Sequence, residues 1–347
     1  MKKIAIFGGS FDPVHIGHYS LYKQIKQTIN PDKFIIIPSR VAPLKSHKLI
    51  ASEQDRYHML RIMFKNNHDV QISTYELEQP KSKVSYTIDT IKHLKKQYRH
   101  DQLYLIVGTD RYDDFKGWKD WKEILKLCKL VVVKRKNIDS RIQKDVSAKF
   151  IDMKLVLTSS TELRSKPNVK YLTPAVANYI ATHDLYLEEQ IKPLMSAKRY
   201  AHTLRVNKLA MELATCINKE LVLPAHIAAM CHDIGKELGD KQVLKLVGKY
   251  DHKWFPTVHT LHGLASAIYA RKYLNINVKL ILDAIANHVI PSKHPTTLDM
   301  ILYCADKLEP ARTIADVKDR IGYIKLAKRN LKQAFTKLYR ETLKHYL

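Results

Sequence analysis

Two groups of residues along this chain have the types and spacings that do chemistry. In the second half, His202, the adjacent pair His232–Asp233, His262, His288 and Asp306 follow one another in the order H…HD…H…H…D. Imidazole and carboxylate groups suit Mn, Fe or Zn when they are deprotonated and held in a fixed shell. Any one of the chain's 17 histidines is more often a surface or core residue. The ordered set, each member in a helical pattern, is what predicts a metal site. His226, His252, His259 and His294 find no place in that pattern, although His259 stands three residues before His262 and could support it from behind. Near the N-terminus, GGSFDPVHIGH follows an apolar run directly. Gly8 and Gly9 let the backbone turn tightly and approach a phosphate, and Asp12–Pro13 fixes a turn. His15 and His18 lie three apart at a helix start and face one side. Imidazoles so placed can donate hydrogen bonds to a phosphoryl group in transfer and stabilise the charge that grows on it.

Holding these residues takes two architectures. The first half alternates β-rich runs (Ile4–Phe7, Phe34–Ile37, Val70–Ser73, Leu103–Val107, Leu130–Val133, Leu155–Leu157) with amphipathic helical patterns (Gly17–Ile29, Glu53–Phe64, Tyr86–Tyr98, Trp118–Leu127). This predicts a parallel sheet covered by helices on both faces, with ligands at the carboxyl ends of the strands. Polar segments follow the strands there: Gly8–Ser10, Pro38–Arg40 leading to Lys45, Gly108–Asp110, Lys134–Arg135, and Ser159–Ser160–Thr161 opening a helix that carries Arg164. From about Glu188 strand runs vanish and helical periodicity dominates, as in Leu204, Leu209, Leu213 and Ile217. The pattern continues to a long lysine-rich terminal helix. We expect an α/β domain over residues 1–187 and an all-α domain over residues 188–347, the metal ligands coming from several helices as in helical bundles.

Composition agrees with two globular domains: 347 residues, 45% hydrophobic. No apolar run reaches the length of a membrane span, and MKKIAIFGGSFDP lacks the cleavage site of a signal peptide. Cys128, Cys216, Cys231 and Cys304 form no CxxC pair, which reads as reduced thiols of a cytoplasmic protein with no membrane partner. The formal charge of +25 favours anionic partners, and phosphorylated small molecules qualify. The lysines are spread over helix faces and no nucleic-acid-binding motif is present, so nucleic acid is not an expected partner.

GGSFDPVHIGH, SYTIDTIKHL, GTDRYDDFKGWKDWKEI, VVVKR and SSTELR, in this order over Met1 to Leu187, resemble the nucleotidylyltransferases. Within that superfamily the resemblance is to bacterial nicotinate-nucleotide adenylyltransferases. It implies a Rossmann-like domain that transfers AMP from ATP to nicotinate mononucleotide, releasing deamido-NAD and pyrophosphate, with Mg²⁺ bridging the triphosphate. On that resemblance His15 and His18 are catalytic, and Gly8, Gly9, Ser10, Lys45, Ser159, Thr161 and Arg164 bind ATP and its phosphates. Thr87, Asp110, Trp118 and Arg135 bind the nicotinate nucleotide, with Trp118 as a stacking surface for which Trp121 competes. In the second half RYAHTLRV, MCHDIGKE, LHGLASA, AIANHV and ILYCADKLEPAR resemble the HD-domain phosphohydrolases, in the bacterial branch that cleaves diadenosine tetraphosphate symmetrically. That resemblance implies two divalent metals, Fe or Mn. One takes His202, His232, Asp233 and Asp306; the other shares Asp233 and takes His262 and His288. Asp233 and Lys236 would act in catalysis, Lys236 and Arg312 by neutralising substrate phosphates. Alternative acceptors are nicotinamide mononucleotide and phosphopantetheine. Alternative second halves cleave other nucleotides or act as a regulatory metal domain that binds RNA. Metal identity and homo-oligomerisation stay open.

Overall fold

The computed structural model describes residues 1–40, 49–80, 84–135, 146–153, 158–165, 168–249, 257–311 and 319–344. They form two compact units, Met1–Arg164 with Lys170–Tyr179, and Ser165–Val169 with Ile180–Leu347.

The first unit runs β1 (Lys3–Gly9), α1 (Ile16–Ile29), β2 (Lys33–Pro38), α2 (Glu53–Met63), β3 (Val70–Ile72), α3 (Thr87–Gln97), β4 (Gln102–Gly108), α4 (Thr109–Asp113), α5 (Trp121–Leu127), β5 (Lys129–Arg135), β6 (Ala148–Met153) and α6 (Ser160–Ser165). The sheet order is β3-β2-β1-β4-β5-β6 and every ladder is parallel. The strands read as continuous apolar runs because helices cover both faces. Ile4, Ile6, Leu105 and Val132 pack with Ile88, Ile91 and Leu94 of α3 and Ile124 of α5. On the other face the Phe34 ring meets Tyr22 of α1 edge-on, centroids 5.2 Å apart. The strand order reverses between β1 and β4, and the crevice at their carboxyl ends is where such sheets bind ligands. One strand goes unanticipated and one helix start shifts. The last described strand is Ala148–Met153, whose polar alternation hid it, and the expected strand Leu155–Leu157 lies outside the described residues. The helix expected from Trp118 begins at Trp121, because Asp120 is left-handed (φ 53) and the chain before it makes a 3-10 turn, Phe115–Gly117.

The division between units falls within α7 (Pro174–Thr182). The second unit then continues α8 (Leu187–Ile191), α9 (Ala197–Ile217), α10 (Val222–Cys231), α11 (Asp240–Val247), α12 (His262–Tyr273), α13 (Lys279–Asn287), α14 (Thr297–Leu308), α15 (Arg320–Arg329) and α16 (Leu331–Lys344). Its described residues contain no strand. Alanines at the contacts (Ala225, Ala228, Ala229, Ala267, Ala270, Ala284, Ala305) let the helices approach closely around Leu213, Ile285 and Leu302. Along α9 the buried stripe is Thr203, Val206, Leu209, Ala210, Leu213 and Ala214, whereas Leu204 is exposed and contributes nothing to it. The expected single terminal helix is two helices: Asn330 leaves helical geometry (φ −150, ψ 85), and its Oδ1 caps Gln333 N at 3.1 Å. Among the described residues no helix is long and apolar enough to cross a membrane.

Candidate active sites

The loop after β1 is shaped by residues other than its glycines. Gly8 and Gly9 end the strand, and neither is left-handed; the left-handed residue is Phe11 (φ 48), followed by a cis Asp12–Pro13 bond. A Cβ at Gly9 would lie 2.9 Å from the Phe11 ring, whereas one at Gly8 would meet nothing within 4 Å, so open space adjoins Gly8. His15 then caps α1. Its Nδ1 accepts from Gly17 N at 3.1 Å, and His18 Nδ1 accepts from His15 N at 3.1 Å. This is a capping box built from two imidazoles. Because both Nδ1 atoms accept, each neutral ring carries its proton on Nε2 and is a donor there. The rings lie against each other, centroids 3.9 Å apart.

The late SSTELR segment docks on this loop. Ser160 Oγ donates to Pro13 O at 2.9 Å, and Arg164 Nη1 donates to Asp12 O at 2.5 Å while pairing with Asp12 Oδ2 at 3.7 Å. Ser159 Oγ caps Glu162 N at 3.1 Å, and Arg164 Nη2 donates to Thr161 Oγ1 at 3.2 Å. The buried Asp12 carboxylate accepts from Ile50 N and Ala51 N at 3.0 and 3.1 Å. Arg56, fully buried, donates to Ser10 O at 2.8 Å and Ser39 O at 2.7 Å, tying the ends of β1 and β2 together. Ser10, His15, His18, Ser159, Thr161 and Arg164 thus share one bonded corner. Asp12 and Arg56 hold it, and sequence reasoning gave Asp12 only a turn and Arg56 nothing. Thr87 opens α3, next to the segment of Trp118, since Lys119 Nζ sits 4.4 Å over the Tyr86 ring. Trp118 packs on Phe115 at 5.3 Å with its Nε1 buried and without a hydrogen-bond partner. Asp110 follows β4 and its side chain is 64% exposed. Lys45 and Arg312 lie outside the described residues, as does the Arg135 side chain.

The second constellation is assembled from five helices around Asp233, which is fully buried. One carboxylate oxygen, Oδ2, lies 3.6 Å from His202 Nε2 of α9 and 3.5 Å from His232 Nε2 at the end of α10. The other, Oδ1, lies 3.5 Å from both His262 Nε2, which opens α12, and His288 Nε2, which ends α13. Asp306 Oδ1 of α14 completes the first side, 3.2 Å from His202 Nε2 and 3.9 Å from His232 Nε2. Metal–ligand bonds of about 2.0–2.2 Å place neighbouring donors about 3–3.5 Å apart around one ion. His202, His232 and Asp233, and separately Asp233, His262 and His288, have donor atoms within 4.8 Å of one another.

Local backbone prepares the rings as ligands. His232, His262 and His288 stand at helix boundaries, where the last carbonyls have no helical partner. Their Nδ1–H groups donate to Ala229 O (2.6 Å), His259 O (2.6 Å) and Ile285 O (2.7 Å). A carbonyl can only accept, so the proton is on Nδ1 and the Nε2 lone pair faces Asp233. His202 Nδ1 faces Glu309 Oε1 at 3.1 Å. All four Nε2 atoms are buried with no hydrogen-bond partner. Burial pushes His232 down to about 4 and His262 down to about 2, so both rings are neutral at physiological pH. Burial alone would raise Asp233, but the Lys236 cation beside it opposes this, and the carboxyl lies well below its usual range. Unpaired buried nitrogens turned on an ionised carboxylate are the donor set of a cation site, and the mixed imidazole and carboxylate donors fit Fe, Mn or Zn. Lys236 Nζ stands 3.2 Å from Asp233 Oδ1, and Arg199 Nη1 donates to Oδ2 at 2.7 Å. Sequence reasoning missed Arg199; the signal was its place three residues before His202 on the same face of α9.

Comparison with known proteins gives the same division. The Cytidylyltransferase-like family model matches residues 6–166 and the HD domain model matches residues 199–311. A Mycoplasma genitalium protein named "Probable nicotinate-nucleotide adenylyltransferase/Ap4A hydrolase" is 33% identical over 340 residues, 96% of each chain. A Mycoplasma pneumoniae protein of the same name is 31% identical over 345 residues, 98% of each chain. A "Probable nicotinate-nucleotide adenylyltransferase" of Aquifex aeolicus is 38% identical over 150 residues, 43% of this chain and 87% of that one. Matched along nearly its whole length, and with both family models falling on the two constellations just described, the chain belongs to the nicotinate-nucleotide adenylyltransferase/Ap4A hydrolase family, which joins a nucleotidylyltransferase unit to an HD unit.

Proposed function

We propose that this chain is a bifunctional cytoplasmic enzyme. Residues 1–187 transfer AMP from ATP to nicotinate mononucleotide, giving deamido-NAD and pyrophosphate. Residues 188–347 hydrolyse diadenosine tetraphosphate with one water to two ADP. The observation that carries the reading is the pair of opposed imidazole sets, protonated on Nε2 at His15 and His18 and bare on Nε2 at the four histidines around Asp233. The first set donates to an anion; the second receives cations.

In the transferase, the mononucleotide phosphate attacks the α-phosphorus of ATP in line, and pyrophosphate leaves. His15 and His18 donate Nε2–H to the oxygens that gain charge. Ser10, Lys45, Ser159, Thr161 and Arg164 hold the polyphosphate, which ATP brings with Mg²⁺, while Gly8 leaves room for it. Thr87, Asp110, Trp118 and Arg135 hold the nicotinate nucleotide, Trp118 by stacking.

In the hydrolase, His202, His232, Asp233 and Asp306 would hold one divalent ion, and Asp233, His262 and His288 a second, iron or manganese. Such a pair supplies Lewis acidity toward the attacked phosphate and the attacking water. Asp233 keeps the two positions in register. Lys236, Arg199 and Arg312 neutralise the tetraphosphate. The two activities connect chemically, because adenylyl transfer to the terminal phosphate of a second ATP yields diadenosine tetraphosphate and pyrophosphate.

A substrate panel on the full chain tests this reading. Nicotinate mononucleotide should release pyrophosphate from ATP faster than nicotinamide mononucleotide or phosphopantetheine. With Mn²⁺, diadenosine tetraphosphate should be cleaved in preference to other nucleotide phosphoesters. A preference for phosphopantetheine, or a hydrolase half indifferent to every dinucleoside polyphosphate, would overturn it.

A further inference from the structure

Three of the four site histidines are oriented by their own backbone. His232, His262 and His288 stand where a helix begins or ends, and each Nδ1–H reaches the carbonyl three residues earlier. His202 cannot do this. It lies inside the 21-residue α9, where the carbonyl three residues before it belongs to the helical ladder. Its Nδ1 is met instead by a side chain 107 residues away, Glu309 Oε1 at 3.1 Å. Glu309 follows the last turn of α14, three residues after Asp306, and is 2% exposed. One segment therefore flanks both ring nitrogens of His202: Asp306 Oδ1 lies 3.2 Å from Nε2, and Glu309 meets Nδ1. The Glu309 carboxylate is itself fixed by Arg205, whose Nε donates to Oε2 at 2.6 Å, and by Ala311 N at 2.9 Å.

We propose that Glu309 is a positioning residue for the His202 side of the metal centre: by accepting the Nδ1–H bond it holds the imidazole in the Nδ1–H tautomer and makes Nε2 a stronger donor toward a metal. The inference rests on the dinuclear reading above. A carboxylate behind a metal-binding histidine raises ligand basicity, and losing such a partner costs about 10–100-fold in metal affinity. Glu309 thereby separates the two metal positions. The His262–His288 side has only neutral carbonyls behind its rings, so Glu309 acts on one ion and not the other.

The test is Mn²⁺ titration of the metal-free full chain, read by calorimetry, for the wild type, Glu309→Gln and Arg205→Leu. The wild type should bind two Mn²⁺. Glu309→Gln should bind one with unchanged affinity and the other about 10–100-fold more weakly. Arg205→Leu breaks the ion pair, but Ala311 N still holds Glu309 Oε2 and leaves Oε1 facing His202, so it should keep both affinities. If both ions weaken equally in Glu309→Gln, if neither does, or if Arg205→Leu reproduces the loss, Glu309 is a structural anchor and the proposal fails. A wild type that binds fewer than two Mn²⁺ would instead remove the dinuclear reading, and the proposal with it. Ring ¹⁵N shifts of His202 in the metal-free wild type give a check that needs no variant. A proton on Nδ1 is expected, and one on Nε2 would overturn the assignment.

Discussion

Histidine does opposite work in the two halves, and the difference lies in which nitrogen the backbone occupies. At His15 and His18 amide N–H groups fill Nδ1, leaving Nε2–H to donate; at His232, His262 and His288 carbonyls take the Nδ1 proton, leaving Nε2 to accept. The residue types and their order were legible in the sequence. The tautomers were not, because they depend on where each helix starts and stops to within a residue. His18→Ala removes the proposed transition-state donor and should lower kcat of adenylyl transfer by about 10²–10³-fold with little change in KM. A change confined to KM would demote His18 to substrate binding. Asp233→Asn keeps the shape of the bridging group but removes its charge. It should cost at least about 100-fold in hydrolysis and leave pyrophosphate release by the other half unchanged; equal loss of both activities would point to global misfolding.

Close approach of short elements builds the metal constellation, and glycine makes it feasible. A Cβ at Gly235 would lie 2.2 Å from His262 O, and one at Gly263 would lie 2.8 Å from Ala286 O. Gly235 N also donates to Ser266 Oγ at 2.8 Å, fixing the turn after His232–Asp233 against α12. Gly235→Ala should therefore destabilise the helical unit by about 1–3 kcal/mol through overpacking and displace His262 from Asp233. Thermal unfolding and Mn²⁺ binding check this, and wild-type values for both would contradict it. HDIGKE and LHG marked these glycines in the sequence, yet nothing there said which backbone each must clear. The strands and helices of the first half were readable from their apolar period. The sequence reading falls short where the local pattern is weak: β6, unanticipated because of the polar alternation in AKFIDM, and the start of α5, set by the left-handed Asp120. The break at Asn330 was hidden because lysine-rich helical composition continues across it.

On the scale of the whole chain, a net charge of +25 suits the polyphosphate substrates proposed for the two units. Metal binds only the folded helical unit, so it contributes to stability by mass action. Chelation should lower the melting temperature of that unit, and Mn²⁺ at about 100 times its Kd should restore about 2.7 kcal/mol. No change on chelation would mean that the buried histidines hold nothing. The central claim, that this unit is a symmetrical dinucleoside tetraphosphate hydrolase, is reached most directly by product analysis. Diadenosine tetraphosphate incubated with the metal-reconstituted chain should give two ADP, and His232→Ala should give none. Formation of ATP plus AMP, or no cleavage by a chain shown to hold its metals, would contradict the account.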